Sequence, residues 1–208
     1  PVPSFHIDSF RLLPTERLLQ EWTLLPKQVI TQPATLGTQQ GLWDENLVSP
    51  LYTAAALQED IPVSVDNGMH LHHYSNGATY SGGVEEHKRS GSGKLTYSDG
   101  SSYQGNFSSN ARQGNGTMRK KNKCFFKGVF EADAPKKGLL TYSNGARYSG
   151  YFDAGLPHGE GIYYGNGQEA LWDGEWSHGR MDGMGTYFFD NGNYYDGRMK
   201  EGQPDGEG

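Results

Sequence analysis

The stretch Thr141–Gly165, TYSNGARYSGYFDAGLPHGEGIYYG, decides the fold. It reads as strand, tight turn, strand, glycine-rich loop and returning strand. Asn144-Gly145 is a strong hairpin signal, because both central positions of a two-residue type I′ turn take positive φ. Tyr148-x-Gly150-x-Phe152 follows, and Gly159-x-Gly161 opens the return strand. The unit recurs. Its first aromatic falls at Tyr80, Tyr103, Phe126, Tyr148, Trp172 and Tyr195, at steps of 23, 23, 22, 24 and 23 residues. A glycine two residues later recurs at Gly82, Gly105, Gly128, Gly150, Gly174 and Gly197. A glycine pair recurs at Gly91/Gly93, Gly114/Gly116, Gly159/Gly161, Gly183/Gly185 and Gly206/Gly208. A fixed period of this kind predicts an array in which each unit packs only on its neighbours.

Alternation along the strands sorts residues onto two faces. Steps of two from each leading aromatic collect Tyr80/Gly82/Val84, Tyr103/Gly105/Phe107, Phe126/Gly128/Phe130, Tyr148/Gly150/Phe152, Trp172/Gly174/Trp176 and Tyr195/Gly197/Met199. The odd steps collect small or polar residues such as Ser81, Gln104, Lys127, Ser149, Asp173 and Asp196. Glycine weakens a strand, so a glycine row marks backbone that something approaches closely, or aromatics that fold over it. The expectation is an all-β, elongated single-layer array of antiparallel β-hairpins. About twelve strands at ~4.8 Å each would make a twisted ribbon on the order of 55 Å long. Its candidate partner groove is lined by Tyr80, Tyr103, Phe107, Phe126, Phe130, Tyr148, Phe152, Trp172, Trp176 and Tyr195.

At these residues the chain resembles the MORN (membrane occupation and recognition nexus) repeat family, whose unit of about two dozen residues runs Y-x-G-x-[WF]…G-x-G. The resemblance covers roughly Leu71 to the C-terminus and departs from the pattern in two units. The third has Asn122-Lys123 in place of Asn-Gly, and Lys136 in place of the first glycine of the pair. The fifth carries the extra stretch Gln168–Leu171. Proteins with this repeat occur in ciliary radial spokes, membrane-contact junctions and parasite cytoskeletal rings, and fused to kinases or a lysine methyltransferase. The resemblance implies a role in assembly.

Residues 1–60 lack the repeat and are read as an N-terminal extension, with the array spanning 61–208. Leu13-Pro14-Thr15-Glu16 starts a short helix near 14–25, on which Leu18, Trp22 and Leu25 form one apolar stripe before Pro26. Trp43 and Leu51 are anchors for the irregular stretch that follows. Ile61–Val65 and Asn67-Gly68 begin the sheet. The extension is long enough to reach back along the ribbon and cover the aromatic face, which is more apolar surface than soluble monomers usually expose.

Net charge of −6 hides an asymmetry: −5 over residues 1–77, +7 over 78–147 and −8 over 148–208. Arg119, Lys120, Lys121, Lys123, Lys127, Lys136 and Lys137 form the one strong basic cluster. As a functional patch it suits an anionic protein surface or anionic lipid headgroups. Nucleic acid is a poor match, since the rest of the chain is acidic. The single cysteine, Cys124, excludes an intramolecular disulfide and fits a reducing compartment. No signal-peptide pattern opens the chain, and no run approaches the ~20 apolar residues that span a bilayer.

Gly91-Ser92-Gly93-Lys94 is no P-loop, because Lys88 stands where its first glycine belongs and Leu95 where its Ser/Thr belongs. His70, His72 and His73 crowd one strand without a further ligand cluster nearby, so no metal site is expected. His158 and His178 each precede a glycine, and His158, whose glycine belongs to the recurring pair, reads as framework. No nucleophile–base–acid set converges. The reading is a non-enzymatic scaffold, with no cofactor and no small-molecule substrate, binding protein segments along the groove within a larger assembly. The expected place is cytoplasmic, at the cytoskeleton, a cilium or a membrane surface. The alternative is a targeting module of a larger lipid-signalling enzyme, binding anionic lipid through the basic cluster.

Overall fold

The computed structural model describes residues 70–121, 124–167 and 169–206. The expected helix near 14–25, the anchors Trp43 and Leu51, and the Ile61–Val65 strand lie outside the described residues. The described chain forms one antiparallel sheet of thirteen strands in sequence order. They are β1 (His70–His73), β2 (Thr79–Glu85), β3 (Lys88–Thr96), β4 (Ser102–Ser108), β5 (Ala111–Arg119), β6 (Phe125–Glu131) and β7 (Ala134–Thr141). β8 (Arg147–Asp153), β9 (Leu156–Tyr164), β10 (Ala170–Ser177), β11 (Arg180–Phe188), β12 (Tyr194–Lys200) and β13 (Gln203–Pro204) complete it. The sheet is not closed.

Register explains the period. Gly82, Gly93, Gly105, Gly116, Gly128, Gly138, Gly150, Gly161, Gly174, Gly185 and Gly197 stand directly opposite one another from β2 to β12. From Tyr80 to Trp172, the leading aromatic of each unit lies over two of these glycines. A Cβ built on Gly93 would meet the Tyr80 ring at 2.5–2.8 Å. In the fifth unit the indole of Trp172 covers Gly174 and Gly185 in the same way. The tyrosine hydroxyls then donate to the carbonyl three residues on: Tyr80 to Gly83 at 2.7 Å, Tyr103 to Asn106 at 3.0 Å, Tyr148 to Tyr151 at 2.9 Å and Tyr195 to Arg198 at 3.0 Å. The glycine row is therefore a bed for the rings.

The turns differ from expectation. At Asn144-Gly145 only Gly145 has positive φ (91°), and Gly145 N donates to Tyr142 O while Tyr142 N donates to Ala146 O. That is a type I turn closed by a glycine bulge, a three-residue loop. Asn144 Oδ1 accepts from Ala146 N at 3.0 Å and fixes it. Gly77, Gly100 and Gly192 close equivalent loops. The I′ turns sit at the other end of each hairpin, where paired positive φ values fall on Glu86-His87, Ser109-Asn110, Ala132-Asp133, Ala154-Gly155, His178-Gly179 and Glu201-Gly202. The glycine pairs are not loops either. Gly161 lies inside the continuous strand β9, and Gly159, with φ 68°, sits at a bulge in the register. In the third unit Lys136 takes the bulge without positive φ. In the fifth, Leu171 is taken up by a bulge between Ala170 and Trp172.

Four of these I′ turns hydrogen-bond back to the preceding unit: Asn110 N to Arg89 O, Asp133 N to Arg112 O, Gly179 N to Pro157 O and Gly202 N to Met181 O. Two buried arginines strengthen the link. Arg112 Nε donates to Asp133 Oδ1 at 3.0 Å and Nη2 to Asp133 O at 2.7 Å. Its guanidinium lies over Tyr103 and Phe130. Arg89 Nε and Nη2 both donate to the Asn110 carbonyl, at 3.3 and 2.7 Å, while Asn110 Oδ1 accepts from Arg89 N at 2.8 Å.

Candidate interaction surface

The ten residues expected to line an open groove are interior. None of Tyr80, Tyr103, Phe107, Phe126, Phe130, Tyr148, Phe152, Trp172, Trp176 and Tyr195 is more than 4% exposed. Their rings meet edge to face in one chain, Tyr80–Phe107–Tyr103–Phe130–Phe126–Phe152–Tyr148–Trp176, with centroids 5.0 to 5.3 Å apart. Phe107, Phe130 and Phe152 thus each pack on the leading ring of their own unit and of the one before, and Trp176 packs on Tyr148 of the unit before it. The face closes on itself by folding rings over glycine, so it offers no open groove. Burial pushes the hydroxyls of Tyr80 and Tyr103 up to about 12.

The opposite face is open. From β5 to β10 its positions carry cations and half-exposed apolar groups side by side. Arg119 faces Phe125 across β5 and β6, with the guanidinium 4.5 Å from the ring centroid. Lys137 faces both Val129 and Tyr151, its Nζ 4.4 Å from the Tyr151 centroid and donating to the hydroxyl at 3.0 Å. Arg147 faces Tyr164, at 5.1 Å. Val129 and Tyr151 are 41% and 44% exposed. Such stacked cations hold aromatic and charged surface together in a fixed array, suited to a partner carrying carboxylates or phosphates beside apolar groups. A shallow hollow of about 660 Å³ lies between Val129, Lys136, Lys137, Tyr151 and His158.

The basic cluster is divided by the strands. Arg119, Lys127 and Lys137 share the open face. Lys136 projects from the bulge and pairs with Glu131 at 3.8 Å. Lys121 is exposed at the turn. Lys120 is half-buried at the ring-covered face, where burial lowers its pKa and Asp99 opposes the shift. Lys123 lies outside the described residues. Phe125, Tyr151, Tyr164 and Arg147 join the surface without having been singled out in the sequence. Their signal was their odd-step position between the residues of the glycine row, as with Tyr151 between Gly150 and Phe152.

Beyond β8 the open face turns acidic. Glu160 stands opposite Glu175, and Asp173 is flanked by both strands. Burial, and then the Glu160 charge, push the Asp173 carboxyl up. Among the described residues no three or more His, Cys, Asp or Glu side chains cluster to hold a metal. His158 and His178 meet edge to face, with centroids 5.1 Å apart.

The MORN repeat family model matches residues 80–102, 103–125, 148–169, 172–194 and 195–208, half of the chain. The chain belongs to the MORN-repeat family. The match skips 126–147, the MORN unit with Lys136 at the first pair position, although that unit keeps its place in the glycine ladder. No curated protein matches the chain.

Proposed function

We propose that this MORN-repeat chain is a non-enzymatic scaffold that binds protein segments on the open face of its ribbon, within a larger cytoskeletal, ciliary or membrane-associated assembly. One observation carries the reading. The aromatic rows are consumed in closing the core, and the surface left with binding chemistry is the band of cation–aromatic pairs Arg119–Phe125, Lys137–Tyr151 and Arg147–Tyr164.

A second reading rests on the placement of Arg119, Lys127 and Lys137 on one face: the band would then dock anionic lipid headgroups, as in a targeting module. The full chain and a variant carrying Arg119→Gln, Lys137→Gln and Tyr151→Ser separate the two. Scaffolding predicts that proteins captured by the full chain and identified by mass spectrometry are lost by the variant, with no pelleting on phosphatidylserine vesicles. Vesicle binding that falls with salt supports the lipid reading. Identical capture by both proteins would overturn the open face as the contact.

A further inference from the structure

We propose that the open face pairs with the same face of a second copy of this chain, about a two-fold axis running along β8 between the two sheets. The inference rests on the open face being the interaction surface, and it names that surface's occupant.

The argument is the order of side chains along one register row. Ser149 on β8 is flanked by Leu139 on β7 and Ile162 on β9. One strand further out stand Lys127 on β6 and Asp173 on β10, and then Thr117 on β5 and Thr186 on β11. A two-fold along β8 sets β7 of one copy over β9 of the other, and β6 over β10. Leucine then meets isoleucine, lysine meets aspartate, and threonine meets threonine, each contact made twice as an isologous interface requires. The neighbouring row repeats the rule. Lys137 stands opposite Tyr151 on one side of β8, and on the other side Glu160 precedes Gly161, the partner of Gly150, at the bulge, so Lys137 of one copy comes near Glu160 of the other and the exposed Tyr151 rings meet at the axis. Arg147 meets its own copy there, but each guanidinium is turned onto the ring of Tyr164.

Within one chain Lys127 and Asp173 do not meet. They are four strands apart, roughly 19 Å at the usual spacing, beyond a Debye length of about 8 Å. Glu160 and Glu175 stand opposite each other, an unfavourable like-charge pair that a facing lysine would relieve. Stacked sheets cross at about −30°, so complementarity matters most near the axis, where these rows lie.

The test is sedimentation velocity on the full chain. The expected result is a monomer–dimer equilibrium that salt weakens. Lys127→Asp and Asp173→Lys should each weaken association at least about tenfold, because each sets like charges against one another twice. An equal mixture of the two variants should dimerise again, since both contacts then join opposite charges. The pair Lys137→Glu and Glu160→Lys repeats the test at independent positions, and thermal melts confirm that each variant is folded. A wild type that stays monomeric at ~100 µM and low salt overturns the proposal. So does a dimer that the single variants leave intact, or a mixture no more associated than its components. If the dimer fails while the open-face variant above still loses its protein partners, the scaffold reading stands without the second copy.

Discussion

A methyl group on Gly93 would collide with the Tyr80 ring, whereas one on Gly91 meets nothing within 4 Å and suffers only from its φ of 65°. Gly93→Ala should therefore cost about 2–3 kcal/mol by overpacking, and Gly91→Ala about 1 kcal/mol of backbone strain. Urea denaturation of the two variants measures the difference, and equal losses would mean that the glycine ladder does not serve the rings. The tyrosines make a second prediction. Burial holds Tyr80, Tyr103 and Tyr163 up to about 12, against about 10 in an unfolded chain. Between those values the unfolded state releases protons that the folded state keeps, so stability is full below about pH 10 and falls as pH rises toward 12. Tyr103→Phe should lose about 1 kcal/mol near neutrality with its bond to Asn106 O, and should show a shallower alkaline fall. A pH series of denaturation midpoints reads both effects.

At the scale of the element, the two kinds of turn make opposite demands. Gly145→Val should destabilise by roughly 1 kcal/mol or more, because the bulge position keeps φ at 91°. Ala154, with φ 46° at the first place of an I′ turn before Gly155, should gain up to about 1 kcal/mol when replaced by Asn, which tolerates that region. Thermal melts check the signs. The arginine links are asymmetric in the same informative way. Asp133→Ala leaves the Arg112 guanidinium, 2% exposed, with its ion pair broken and should cost about 3–5 kcal/mol. Asp133→Asn should cost less, since it keeps an Oδ1 to accept from Arg112 N and Nε, as Asn110 Oδ1 accepts from Arg89 N in the preceding unit. Losses that are both small would show that the turn carbonyl alone, and not the side chain, holds the guanidinium.

Over the whole molecule, cohesion between units runs through the second aromatic of each repeat. Phe130 touches both Phe126 of its own unit and Tyr103 of the one before. Phe130→Ala should cost about 3–5 kcal/mol and broaden or split the urea transition, because an array whose nearest-neighbour interface is weakened unfolds in blocks. Phe125→Ala, on the open face, should leave the transition sharp. A sharp, merely shifted transition for Phe130→Ala would mean that strand pairing alone couples the units.

The period of about 23, the aromatic–glycine–aromatic alternation and the all-β class were legible in the sequence, because covalent spacing by itself places every second side chain on one face of a strand. Departures in the third and fifth units were legible too, and at Lys136 and Leu171 they resolve as bulges that leave the glycine ladder in register. Three matters were decided only by the tertiary structure. Asn144-Gly145 suits more than one short loop, and the pairing of the flanking strands selected the bulged form while giving the I′ geometry to pairs such as Glu86-His87. Whether the aromatic face stays open depends on ring torsions and on how near the next repeat comes. Rings lying flat on glycine, with the next unit's Phe or Trp against their edges, closed it. Lys120 and Lys127 look equivalent in a run of basic residues, yet strand pleat and turn geometry send one toward the rings and the other to the open face. Sequence spacing within a strand determines a face; what lies against that face is set by neighbours 23 residues away.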